Sequence, residues 1–218
     1  MSRHSLEDIE FRLGIPEDFD VVTEFTRNIF IEAEPVCKSL GMTPDDCGIF
    51  DWVVEQSLKD PYTVLAFDKI SGDLIGYRVT SVWYRKDEKL SLPPLTERVV
   101  VMANLVMAMK DSFWDLCPPE VNGVLRRELS CVRPDFQRRG IGNRLADMLI
   151  DEAELKAKGI DGIMSETSSV ANQALLAKKG FKPLKEMEYD ANVKPDGSAV
   201  LGKRPDGSKK MVLNFKQF

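Results

Sequence analysis

The chain holds 218 residues, 43% of them apolar and 30% charged, which supplies one globular α/β domain with a core of its own. Its longest apolar run, residues 99–109, is interrupted by Asn104 and falls well short of the roughly 20 residues that span a bilayer; its net charge of −5 argues against nucleic acid as the main partner and suits a cationic ligand. Cys37, Cys47, Cys117 and Cys131 form no C-x-x-C pair and the only histidine is His4, so zinc sites and histidine-based triads are excluded, and acid–base work near pH 7 falls to carboxylates, Tyr, Ser, Cys or water.

Residues 1–10 carry charges of both signs and no apolar stretch, unlike a secretory signal or transit peptide, and a soluble cytoplasmic protein with reduced thiols is expected. A short strand fits residues 10–13. Apolar positions Val22, Phe25, Ile29 and Phe30 then recur at helical spacing from Pro16 onward. That helix should break at Glu34, because Pro35 disfavours helical geometry in the residue before it. A second helical piece over residues 36–40 ends at Gly41. Thr43, Pro44 and Asp46 have the spacing of an N-cap, a first-turn proline and a capping acid for a helix running to about Lys59.

Two β-rich runs, residues 62–67 and 74–84, flank Ser71-Gly72-Asp73 and predict an antiparallel hairpin. A polar connection over residues 85–94 leads to a helix over residues 96–113, and residues 121–132 form the fourth strand. Residues 140–158 read as one helix, with Ile141, Leu145, Met148, Leu149 and Ala153 on a stripe. Strand 162–166, helix 170–179 and strand 181–189 continue the progression. Two similar turns, Pro195-Asp196-Gly197-Ser198 and Pro205-Asp206-Gly207-Ser208, precede a last strand over residues 211–215.

The most specific signal is Val132-Arg133-Pro134 at the end of the fourth strand, followed by Gln137-Arg138-Arg139-Gly140-Ile141-Gly142 at the start of the next helix. Unpaired N–H groups and the positive end of the helix dipole favour a phosphate there. Gly140 and Gly142 allow it to approach the main chain, and arginines add charge-assisted bonds. Adjacent positions cannot both face one ligand, so one of Arg138 and Arg139 is left for a ribose phosphate or solvent. A dinucleotide fold is excluded because Arg144 and Leu145 stand where a third glycine is required, and no Gly-Lys-Ser/Thr follows to make a P-loop.

This segment resembles motif A of the GNAT acetyltransferase superfamily, and the likeness extends over residues 11–215. The resemblance implies an α/β (α+β) fold with a mixed, mostly antiparallel sheet splayed between its fourth and fifth strands and helices on both faces, in a single domain over residues 1–218. It implies acetyl-CoA as cosubstrate, without a metal, its pantetheine arm lying along the main chain of Leu129, Ser130, Cys131 and Val132. Its phosphates would rest on Gln137, Arg138, Arg139, Gly140, Ile141, Gly142 and Asn143. The second motif resembles residues 166–181 and brings Asn172 to the cofactor. Many members carry a tyrosine four residues before the glycine of this motif to protonate the departing thiolate; here Leu176 precedes Gly180.

Phe30-Ile31-Glu32-Ala33-Glu34-Pro35 followed by Leu40-Gly41 is similar to invertebrate arylalkylamine N-acetyltransferases. That likeness implies as small-molecule substrate the primary amine of an arylalkylamine such as dopamine, octopamine, tyramine or serotonin, Glu34 as general base, Phe30 beside the amine, and a monomer or weak homodimer. Of that family's two serines in the second motif, the first matches Ser168 and the second position holds Asn172. From the residues alone, Glu128 is the second candidate base. Ser168 or Ser169 is placed to cap the helix at Val170, and Trp83 and Tyr84 are either amine contacts or core. Other small amines, and a non-catalytic CoA-binding module, stay open at this point.

Overall fold

The computed structural model describes residues 6–88, 90–191 and 199–218; His4 and the turn at Pro195-Asp196-Gly197-Ser198 lie outside the described residues. Among the described residues seven strands form one sheet: β1 (Ile9–Leu13), β2 (Val64–Asp68), β3 (Leu74–Tyr84), β4 (Gly123–Val132), β5 (Gly162–Thr167), β6 (Lys182–Glu188) and β7 (Lys210–Gln217). Their spatial order is β1-β2-β3-β4-β5-β7-β6. Every pairing is antiparallel except β4 with β5, which is parallel.

Two features of β4 shape everything that follows. Its ladder with β3 pairs Val79 with Leu129 and Thr80 with Arg127, so Glu128 is an extra residue in a β-bulge. Its ladder with β5 runs only from Val124–Gly162 to Arg126–Met164. Beyond Arg126 the two strands part, and residues 127–132 have, among the described residues, no strand neighbour on that side. The Arg133 N–H donates to the Ile75 carbonyl on β3, so strand alternation turns the peptide groups of Val132 and Ser130 toward the opening.

Helices cover both faces. On one, α1 (Phe19–Phe25), α4 (Gly48–Ser57) and α5 (Glu97–Lys110) pack over Tyr77, Val79, Leu129 and Met164. Between α1 and the short α2 (Ile31–Ala33) the chain makes a π-helical turn over Thr26–Phe30, and α3 (Pro35–Ser39) follows Glu34. Thr43 and Asp46 form the expected capping box, and Asp46 also accepts from the hydroxyl of Thr96, the cap of α5, which ties the starts of α4 and α5 together. A short α6 (Phe113–Leu116) completes the stretch read as the end of one helix.

On the other face the structure corrects the single helix read over residues 140–158: it is two, α7 (Ile141–Asp147) and α8 (Glu152–Ala157). Buried Arg78 on β3 donates to the Leu145 and Ala146 carbonyls, occupying acceptors at the end of α7. Asp151 then caps α8 through the Ala153 and Glu154 N–H groups, at 3.0 Å each. The break sends Leu145 and Leu155 into separate clusters and leaves Leu149 exposed with a left-handed φ of 59°. Finally α9 (Val170–Lys178) follows β5. Among the described residues no helix is long and apolar enough to cross a membrane.

Candidate active site

A cavity of about 470 Å³ occupies the opening between β4 and β5. Its wall brings together most of the residues singled out in the sequence: Phe30, Glu34, Leu129, Ser130, Cys131, Val132, Gln137, Arg138, Ile141, Gly142, Ser168 and Asn172. Arg139, Gly140 and Asn143 stand outside it. Arg139 donates to the Asp135 carbonyl and lies 4.6 Å from the Phe136 ring centroid, and Asn143 is exposed. Gly140 acts through its backbone, capping α7 at φ 85°, a conformation that favours glycine. Trp83 and Tyr84 pair with Val124 and Gly123 at the far end of β4; Trp83 packs on Phe113 and Trp114, and neither residue lines the cavity.

The mouth is built by the turn from β4 into α7. Gln137 donates its amide N–H to the Val132 carbonyl at 3.0 Å, fixing the loop to the strand. Arg138 holds a left-handed φ of 61° without being glycine, a conformation that costs on the order of 1–2 kcal/mol and that clusters at ligand sites. A Cβ on Gly142 would come no closer than 3.9 Å to Val132, with nothing else within 4 Å. Among the described residues no atom requires glycine at 142, and Gly142 lines the cavity.

Glu34 sits at the inner wall. The following proline holds it extended (φ −79°, ψ 123°) as the N-cap of α3, where one carboxylate oxygen accepts from the Cys37 N–H at 2.6 Å. The other oxygen, Oε1, is buried and has no partner among the described residues. Glu32 instead pairs with Lys38 in solvent. Glu128, the other candidate base, is engaged on two sides, by the Ser81 hydroxyl at 2.7 Å and by Arg126 at 3.1 Å. Arg126 also holds Glu166, making a buried carboxylate–guanidinium–carboxylate group on the α5 side of the sheet.

Of the two serines, Ser169 caps α9 through the Asn172 N–H, and Ser168 faces the cavity without that duty. Leu176, where a tyrosine acid would stand, is wholly buried. A different tyrosine comes close: Tyr189 is buried and donates to the Ser168 carbonyl at 3.3 Å, its phenol pushed well up by burial and then by the neighbouring Glu34. The Cys131 thiol is pushed up to about 12, by burial first and Glu34 second, so it is a neutral wall and not a nucleophile at physiological pH. Sequence reasoning missed Arg127, Ser165 and Asp206 in the lining; Asp206 accepts from the Val170 N–H, which brings the 205–208 turn to the site.

An acetyltransferase (GNAT) domain family model matches residues 97–183, the stretch that contains β4, the opening and α7. Over those residues, which are less than half of the chain, it is similar to GNAT acetyltransferase domains. No curated protein sequence matches it, but its fold recurs in solved structures. The arylalkylamine N-acetyltransferase 2 of Aedes aegypti superposes with a TM-score of 0.81 at 16% identity, covering 96% of this chain and 99% of that one. A polyamine N-acetyltransferase of Drosophila melanogaster that forms N-acetylagmatine gives 0.76 at 15%, over 97% and 100%. The Arabidopsis thaliana protein NAA60 in complex with acetyl-CoA gives 0.53 at 13%, over 96% and 99%. The mixed sheet opening after Arg126, with helices on both faces, is the GNAT fold. Among the described residues no group of three acidic, His or Cys side chains is placed to hold a metal.

Proposed function

We propose that this GNAT domain moves an acetyl group from acetyl-CoA to the primary amine of a small arylalkylamine, by direct attack within a ternary complex. One observation carries the reading: the unpartnered, buried Oε1 of Glu34 lines the same cavity as the opened edge of β4 and the Gly142 mouth. A base and a donor channel meet there.

A primary alkylamine has a pKa near 10.4, so roughly one molecule in a thousand is neutral at pH 7; the site must remove a proton before nitrogen can attack. Glu34 accepts it through Oε1, directly or through water, while its second oxygen stays on the Cys37 N–H and fixes the carboxylate. The amine nitrogen bonds to the thioester carbon, and the developing oxyanion is met by a main-chain N–H of β4 turned to the opening. The carbon–sulfur bond then breaks and the thiolate takes a proton from solvent or from the Ser168 hydroxyl. Phe30, edge-on to Phe50 at 5.3 Å, gives the amine's ring an apolar wall.

The test is release of free CoA from acetyl-CoA with a panel holding dopamine, tyramine, serotonin, agmatine and spermidine, ranked by kcat/KM. Preference for the aromatic amines supports the reading; preference for agmatine or spermidine leaves the transferase and overturns its substrate. Tight CoA binding with no turnover on any amine makes the chain a binding module. Glu34→Gln keeps an oxygen for the cap and is expected to lower kcat/KM by at least about 10²-fold. An unchanged rate and pH profile with acetyl-CoA still bound removes Glu34 as the base.

A further inference from the structure

Arg127 is the least explained side chain of the cavity. It is 2% exposed on β4, immediately past the last residue paired to β5, and so lies at the closed end of the opening. Its Nη2 donates to the Ser130 hydroxyl at 3.1 Å, whereas Nε and Nη1 are buried without a partner among the described residues. A guanidinium has five N–H donors and cannot discard its charge, and a buried unpaired charge is among the costliest features a fold can keep.

The surroundings make the deficit larger. Arg127 pairs across the ladder with Thr80, whose hydroxyl accepts from Arg78, so two buried guanidiniums share one face of the sheet. Arg78 is saturated by the Leu145, Ala146 and Tyr62 carbonyls and Thr80. Arg127 has one bond among the described residues. Burial lowers Arg127 to about 10, and burial together with Arg127 lowers Arg78 to about 9; both stay cationic at neutral pH. Asp147, the acidic neighbour felt by Arg78, is already paired with Lys179.

Geometry selects the ligand's origin. The Arg127 face is the α7 face, where the mouth formed by Arg138 and Gly142 admits the donor, whereas Phe30 and Leu129 belong to the cluster under α1 and α5, the amine side. Arg127 lies on the closed-end side of Leu129, across the Glu128 bulge. Resting on the reading of this cavity as an acyl-CoA site, we propose that Arg127 receives the free carboxylate of a short dicarboxylic acyl group, malonyl or succinyl, carried on CoA. Transfer needs no new chemistry: the amine nitrogen bonds to the thioester carbon, the amine proton goes to Glu34, the carbon–sulfur bond breaks with CoA leaving as a thiolate that takes a proton from solvent, and the distal carboxylate stays ionised throughout.

The experiment is calorimetric titration of the intact protein with acetyl-, butyryl-, malonyl- and succinyl-CoA, butyryl being a neutral chain of similar reach. A charge-assisted pair to a buried guanidinium predicts that malonyl- or succinyl-CoA binds at least about tenfold tighter than butyryl-CoA. Arg127→Met should cut that ratio by about tenfold, and the dicarboxylic amide should be detectable by mass spectrometry in reactions with an accepted amine. A wild-type protein that binds acetyl- and butyryl-CoA and shows no preference for the dicarboxylic donors overturns the inference and leaves the acetyl-transfer reading standing; the guanidinium is then satisfied by water. Failure to bind any acyl-CoA overturns both. The wild-type comparison decides the matter even if Arg127→Met does not fold.

Discussion

Gly142→Ala separates what the mouth of the cavity does for the fold from what it does for a ligand. Gly142 is the second residue of α7 and has no positive φ, so alanine can adopt its backbone. The added Cβ meets Val132 at 3.9 Å and nothing else within 4 Å, an ordinary contact. Removing a helical glycine under those conditions stabilises by about 0.5–1 kcal/mol, and for a chain of this size each kcal/mol is worth roughly 2–4 °C in Tm. The same methyl projects toward the space where the donor's phosphates would approach the main chain. A tenfold loss of affinity removes about 1.4 kcal/mol from the stabilisation that saturating ligand confers. Thermal unfolding with and without acetyl-CoA, beside a calorimetric Kd, should therefore show the free protein melting higher and the ligand-induced rise shrinking. Misfolding cannot produce that pair of opposite signs. A variant that gains stability and keeps wild-type affinity would refute the placement of the donor against residues 140–142.

Arg12 holds the Asp18 carboxyl below the usual range, mainly through hydrogen bonds at 2.6 and 2.7 Å. Because the folded value is lowered, the stabilisation is present above the unfolded pKa of about 3.9 and disappears as pH falls through the folded value. Asp18→Asn should thus cost about 1 kcal/mol at pH 7 and progressively less below about pH 4 in denaturant melts; a constant difference would contradict the pairing. With its thiol near 12, Cys131 should react with iodoacetamide at pH 8 on the order of 10³-fold more slowly than an ordinary cysteine, read by mass mapping of the labelled peptide. Leu149→Gly releases an exposed left-handed leucine and is expected to raise Tm by the equivalent of about 0.5–1 kcal/mol; a lower Tm would show that Leu149 packs more than it strains.

Local chemistry explains which elements could be read in advance. The turn at Ser71-Gly72-Asp73 fixes the start of β3, and Leu74–Tyr84 forms as expected. The Thr43 and Asp46 box depends on residues three apart, and Pro35 extends Glu34 through a steric rule that needs only the next residue. The break between α7 and α8 had no such signal. Its apolar stripe continues through the break, and what ends α7 is a guanidinium from Arg78, 67 residues away from Leu145. The bulge at Glu128 is equally silent, since it is a property of two strands in register and not of one.

The site divides along the same line. Motif A and the Phe30–Pro35 segment place their residues by short-range rules, and Gln137, Arg138, Ile141 and Gly142 of the first meet Phe30 and Glu34 of the second in one cavity. The choice of Ser169 over Ser168 as the cap is a difference of one residue that capping preference alone does not resolve. Arg127 did leave a trace: two successive arginines on a central strand must point to opposite faces, so both were bound for burial. Arg126 finds Glu128 and Glu166 on its face, whereas Arg127 meets Arg78 and a serine. An interior that neutralises one of two neighbouring cations and leaves the other with free donors beside a cavity is arranged for an anion that arrives with the substrate.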